Sequence, residues 1–389
     1  MRFFLRTPLL AFFWRLDYAS CLFGEWKAHE VLKGHLVQDV VSWSALIAGY
    51  AEHGHSEEAL NCFESMQMDD DVFPNAITLV FSLKACSTLG AIVKGQEIHA
   101  HIEKRGFIGG DLIVGNTIVD MYATCGCLPE AHQIFDRLQD RDIISWGAIM
   151  AGYMEHGQCQ RVINLYSRMQ DEDFRHEVDR VILMNLLGAC SGIGDIRLGR
   201  KIHDQVMLCN DVLLFDDVDV GNAFVNMYVK CGSLKDAQRM FDHIPTRNLV
   251  AWGAMIAGYV THGDTFKAFQ CFKQMQEEGV ITDAHTLVYA LQASANLVGK
   301  EDFDVKSNSE QKNDSEIGKA LHAYARRKGF TSTNIFVVNT IIGMYGKCGA
   351  PGKAQKAFEE LPERNVVSWT SIIGSYSREG LVHQAMECF

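Results

Sequence analysis

VVSWSALIAGYAEHGHSEEALNCFESM (residues 40–66) and VGNAFVNMYVKCGSLKDAQRMFDHI (residues 220–244) both read as helix, glycine turn, helix. In the second stretch, Val220 to Lys230 carries apolar residues at helical spacing, and Gly232 stands where a left-handed residue ends a helix. Ser233 and Asp236 then supply a capping side chain and an early acid for a second helix that stops before Pro245. The same glycine returns as Gly54, Gly126, Gly157, Gly263, Gly349 and Gly380. Five residues past it stand Ala59, Ala131, Ala237, Ala268, Ala354 and Ala385, with Val162 the exception, small enough for two helices to approach closely. A second set of modules has Gly95, Gly199 and Gly318 in that role.

The rare residues give the period. Trp43, Trp146, Trp252 and Trp369 recur at intervals of 103, 106 and 117 residues by subtraction. Between them come GQEIHAHI, GRKIHDQV and GKALHAYA, carrying His99, His203 and His322, and then VGNTIVDMYATCG, VGNAFVNMYVKCG and VVNTIIGMYGKCG, carrying Asn116, Asn222 and Asn339. The repeating unit is therefore a tryptophan, a histidine and an asparagine module: Val40–Asn75, Ala76–Asp111, Leu112–Asp142; Ile143–Asp179, Arg180–Asp217, Val218–Asn248; Leu249–Asp283, Ala284–Asn334, Ile335–Asn365; and a tenth, shortened module from Val366 to Phe389. Modules of this length are normally helix pairs that bury their apolar faces only against their neighbours. Residues 299–316, GKEDFDVKSNSEQKNDSE, lengthen the third histidine module and, being polar without apolar periodicity, read as a flexible loop.

Composition agrees with a folded array. The 389 residues exceed one ordinary core, and 48% apolar with 22% charged residues excludes a mainly disordered chain. A net charge of −12 argues against a generally basic nucleic-acid coat, so any polyanion contact must be local. No apolar run approaches the 18 or so residues that span a bilayer. Residues 1–39 place Arg2, Arg6 and Arg15 among apolar residues with no acid before Asp17, as an organelle transit peptide with a degenerate lead-in would; Leu9 to Trp14 also fit a very short signal-peptide core.

Catalytic and metal motifs are absent. Eight of the 12 cysteines fall at fixed repeat positions, which buried packing explains, and no Cys-x-x-Cys pair exists to seed a zinc site. His99, His203 and His322 share one repeat position and read as structural. His55-Ser-Glu57 matches half of the zinc deaminase signature, but the Pro-Cys-x-x-Cys half is nowhere in the chain. The reading is a non-enzyme without cofactor.

From Val40 to Phe389 these three phrases resemble the plant pentatricopeptide repeat family, in the subclass that alternates P, L and S repeats. The resemblance implies an all-α fold, a right-handed α-solenoid superhelix. It also implies single-stranded RNA binding in a mitochondrion or chloroplast, usually to select cytidines for editing to uridine. In that family one repeat meets about one base, through the fifth residue of its first helix and the last residue of the module. Carried over, the reading pairs are Ser44 with Asn75, Asn116 with Asp142, Asn222 with Asn248 and Asn339 with Asn365, for A, U, C and C. Helix capping is the competing role of these polar residues.

Departures from the family pattern limit the carry-over. Gly147 and Gly253 leave Asp179 and Asp283 without a partner side chain, and the histidine modules have Val80, Met184 and Val288 at the reading position. The family's base-stacking position holds Val41, Ile113, Ile144, Val250 and Phe336, while Asp219 does not suit it. Lys230 and Lys347 match its backbone-facing lysine, where the first asparagine module has Thr124. No extension motif or deaminase domain follows Phe389, so editing would need a deaminase partner in trans. A protein-binding helical scaffold, or a truncated nonfunctional copy, are the alternatives.

Overall fold

An Asp or Asn immediately before an apolar run is a helix start, because its short side chain accepts a hydrogen bond from a backbone N–H of the first turn. The computed structural model describes residues 39–68, 72–106, 111–172, 178–208, 217–299 and 308–388. Within them there are 21 helices and no strand. Ten helices begin at the first residues of the ten modules: α1 (Val40–Glu52), α3 (Ala76–Leu89), α5 (Leu112–Thr124), α7 (Ile143–Glu155), α9 (Arg180–Ile193), α11 (Val218–Lys230), α13 (Leu249–Thr261), α15 (Ala284–Gly299), α18 (Ile335–Lys347) and α20 (Val366–Arg378). Each is preceded by Asp or Asn; Asp39, Asn75, Asp142, Asn248 and Asn365 accept from the N–H three residues on.

The second helices are α2 (Ser56–Gln67), α4 (Ile92–Lys104), α6 (Leu128–Arg137), α8 (Cys159–Asp171), α10 (Ile196–Leu208), α12 (Leu234–His243), α14 (Thr265–Glu277), α16 (Asn308–Arg327), α19 (Pro351–Glu359) and α21 (Val382–Glu387), with a one-turn helix α17 (Phe330–Thr333) between α16 and α18. A glycine between partners takes positive φ in nine of the modules, from 64° to 82°. At Gly232 (φ 79°), its N–H bonds the Val229 carbonyl and the Ser233 N–H reaches back to the Tyr228 carbonyl, closing the orphan end of α11. The Ser233 hydroxyl does not cap α12 as expected; it donates to the Asp236 carboxylate at 2.8 Å.

The chain divides into two compact units, Met1–Ala189 and Cys190–Phe389, with the boundary inside α9. In each, a first helix packs on its own second helix and on the first helix of the next module. Trp146 and Trp252 are fully buried, edge-on to Phe135 and Phe241 of the preceding second helix with ring centroids 4.8 and 4.7 Å apart. Ala59, Ala131, Ala237, Ala268 and Ala354 are fully buried, as the close approach requires. At Gly199 a Cβ would lie 2.5 Å from the Met227 sulfur of α11, so alanine there would require the methionine end to shift. The modules are also stitched across: His99, His203 and His322 bond the hydroxyls of Tyr122, Tyr228 and Tyr345 through Nδ1 at 2.9, 2.7 and 3.0 Å, and Gln238 and Gln355 take the Tyr259 and Tyr376 hydroxyls in the same way.

The polar segment departs from expectation. Residues 308–316 are the first turns of α16 and not a loop; charged and amide residues propagate a helix well once the apolar 317–325 stretch anchors it. The remainder, 300–307, and the expected transit peptide over residues 1–38 lie outside the described residues.

Candidate nucleic-acid interface

Each proposed reading pair is brought within hydrogen-bond range by the fold. The last residue of a module caps the next first helix, which sets its carboxamide or carboxylate beside the fifth residue of the first helix of its own module. Asn116 Nδ2 donates to Asp142 Oδ1 at 3.2 Å, Asn222 Nδ2 to Asn248 Oδ1 at 3.2 Å, and Asn339 Nδ2 to Asn365 Oδ1 at 3.3 Å. The Ser44 hydroxyl lies 3.2 Å from Asn75 Oδ1, but also 2.6 Å from the Val40 carbonyl and 2.9 Å from Thr78 Oγ1.

The cap fixes which way each asparagine faces. Asn248 Oδ1 already accepts from the Ala251 N–H, and Asn365 Oδ1 from the Ser368 N–H, so only an NH2 can approach them. Asp142 is acceptor-only once ionised. Burial raises its pKa, but the Ser145 N–H and hydroxyl and the Asn116 amide outweigh that, holding the carboxyl below the ordinary range. Asn116, Asn222 and Asn339 must therefore spend Nδ2 on the cap. Their Oδ1 atoms are left buried and without a hydrogen-bond partner in all three asparagine modules, where each residue is only 6–7% exposed. A buried unpaired acceptor costs about 1–3 kcal/mol, and the same cost is borne at one register in all three asparagine modules.

Beside these pairs the second residue of each first helix points outward. Phe336 is 70% exposed, and Ile113, Ile144 and Val250 are exposed as well, whereas Val41 is half-buried. Ile77, Val181 and Val367 occupy the same helical position and are also exposed, apolar residues that the module alignment could have supplied. Asp179 and Asp283 cap α9 and α15 through the N–H groups of Ile182 and Thr286, both at 2.8 Å, with no side chain opposite from Gly147 or Gly253. Lys230 and Lys347 are exposed at the ends of α11 and α18, and Lys347 Nζ donates to Asn296 Oδ1 at 2.8 Å. Among the described residues no group of three or more His, Cys, Asp or Glu is placed to hold a metal.

The geometry is that of a helical-repeat array with a polar pair in four modules and, in several, an outward apolar side chain at the second position of the first helix. The chain belongs to the pentatricopeptide repeat family. PPR repeat models match residues 38–88 and 247–296, and again 116–143, 144–174, 222–249, 336–366 and 367–389. A chloroplastic pentatricopeptide repeat-containing protein of Arabidopsis thaliana is 32% identical over 373 residues, 95% of this chain and 56% of that protein. A mitochondrial one from the same plant is 29% identical over 374 residues, 96% and 51%. The chain thus spans about half the length of these curated relatives. Maize pentatricopeptide repeat protein PPR10, solved in complex with an 18-nt psaJ RNA element, superposes with a TM-score of 0.63 at 16% identity, covering 90% of this chain and 54% of PPR10, which shows the fold.

Proposed function

We propose that this chain binds single-stranded RNA in a base-specific manner in a plant mitochondrion or chloroplast, as a P-L-S-type specificity factor that selects cytidines for editing by a deaminase recruited in trans. The observation that carries the reading is the unpaired Oδ1 of Asn116, Asn222 and Asn339 next to a cap residue whose identity varies between Asn and Asp. A pyrimidine edge supplies what is missing there. The amino N–H of cytosine satisfies the Oδ1 of Asn222 and Asn339 while the Nδ2 of the cap asparagine donates to cytosine N3, and at Asn116 the cap aspartate accepts the single imino N–H of uracil. Exposed Ile113, Ile144, Val250 and Phe336 offer apolar surface to the base faces. The organelle names of the matched relatives and the RNA bound to PPR10 support the same assignment.

With the first repeat toward the RNA 5′ end, the nine complete repeats select A-N-U-N-N-C-N-N-C. Binding of this oligonucleotide, single-stranded and within a hairpin stem, tests the reading. The array binds the single strand and rejects the stem, where the base edges are occupied; equal affinity for both would contradict it.

A further inference from the structure

The histidine modules hold apolar Val80, Met184 and Val288 at the fifth position of their first helices α3, α9 and α15, so no polar pair forms in them. Their sixth residues also set them apart. Here stand Phe81, Asn185 and Tyr289, where the other seven modules place Ala, Ser or Thr. The sixth residue comes four after the second, about one helical turn further along and about 40° round, so it continues the face that presents Ile77, Val181 and His285. Those three are exposed, and Phe81, Asn185 and Tyr289 are each half-buried, which leaves part of every one open on that face.

The two rings are not engaged by other rings. Trp146 and Trp252 pack edge-on against phenylalanines, but among the described residues no aromatic ring packs on Phe81 or Tyr289. Phe81 has a cation beside it instead, with Lys84 Nζ 5.2 Å from the ring centroid. The Tyr289 hydroxyl makes no hydrogen bond among the described residues, whereas the hydroxyls of Tyr122, Tyr228 and Tyr259 are all bonded across modules. Asn185 leaves its Nδ2 without a partner.

Resting on the RNA reading above, we propose that the histidine modules contact their own bases through this sixth residue: Phe81 and Tyr289 stack on the second and eighth bases whatever their identity, and Asn185 meets the fifth through its amide alone. Every base has a π-face, so a ring adds affinity without selecting a base, which is the contribution open to a module that lacks a reading pair. A partly exposed ring leaves apolar surface in water, and a stacked base removes it. This contact stands one turn along from the outward second residue and is made by a residue type that only the histidine modules place there.

The test is fluorescence anisotropy of the full chain with a labelled nine-nucleotide single strand carrying A, U, C and C at positions one, three, six and nine, compared with strands abasic at one position. Loss of the second or the eighth base weakens wild-type binding about 5-fold or more, the lower end of base–aromatic stacking, and loss of the fifth weakens it less. Phe81→Ala and Tyr289→Ala weaken binding to the intact strand by a similar factor and cause no further loss with the strand already abasic at their own position. Asn185→Tyr removes no packed ring and does the reverse: it tightens binding to the intact strand and not to the strand abasic at five. Circular dichroism confirms that each variant is folded. Equal wild-type affinity for the intact strand and for those abasic at two and eight overturns the inference. Alanine variants that lose as much affinity for the abasic strand as for the intact one overturn it too, as rings that only pack helices would, and so does an Asn185→Tyr variant that binds no tighter. Sensitivity to base loss at six and nine without sensitivity at two and eight removes this inference and leaves the polar-pair reading standing; absence of any wild-type binding removes both.

Discussion

At the scale of single residues, one side chain does two jobs. Asn365 caps α20 through Oδ1 and, with the same atom, anchors the Asn339 amide. Capping and the proposed reading, which the sequence presents as rivals, are compatible in one arrangement: the cap orients the paired asparagine. Asn365→Ala should destabilise the protein by about 1 kcal/mol through loss of the cap, whereas Asn365→Asp should leave stability within a few tenths, since Asp caps equally well. Urea unfolding of the two variants measures both. Asp142 adds a pH signature. Its carboxyl pKa is depressed in the fold, so its stabilisation is complete above the unfolded value and is lost as the pH falls through the folded one. Asp142→Asn should flatten the acid limb of the stability curve, most clearly below about pH 4. The pairing of Asn116 with Asp142 was legible in the sequence as a repeat position. The orientation of its amide was not, because it depends on which cap atom the next helix has already claimed.

At the scale of helices, the glycine turns, the alanine contacts and the starting residue of each first helix follow from the repeated phrases, since every module solves the same packing problem. The tyrosine ladder does not. His132 bonds Tyr153 and Gln238 bonds Tyr259 from the same place in their modules, one residue past Ala131 and Ala237, and only the packed helices reveal that His and Gln are equivalent there. Burial lowers the pKa of His99, His203 and His322, so each is held neutral, and their stabilisation is lost as the pH falls below the unfolded value of about 6.5. Replacing all three by Gln should keep the tyrosine bonds and remove this part of the pH dependence; melting temperatures at pH 5 and pH 7 decide it. Trp252→Ala should be far harsher, costing about 3–5 kcal/mol, because the ring is wholly enclosed against Phe241. The α16 helix over residues 308–316 escaped the sequence reading because helix propensity without an apolar stripe looks the same as a solvated loop.

At the scale of the whole chain, ten modules with one architecture carry a cap-linked polar pair, the proposed base reader, in only some places, and the intervening modules separate these readers. Gly147 and Gly253 leave Asp179 and Asp283 as caps alone, and the histidine modules present apolar Val80, Met184 and Val288 where the readers stand. Specificity in such an array is a set of separable local choices, so one cap can be changed without rewriting its neighbours. The most direct measurement is therefore the binding of wild-type and Asn365→Asp protein to four RNAs that differ only at the ninth base. Wild type should prefer C. The variant should prefer U, with a shift of several-fold or more, since one edge contact is worth about 1–3 kcal/mol by analogy with groove readout. An unchanged preference for C in a variant of wild-type stability would mean that Asn365 only caps α20, and the account of base reading by these pairs would fail.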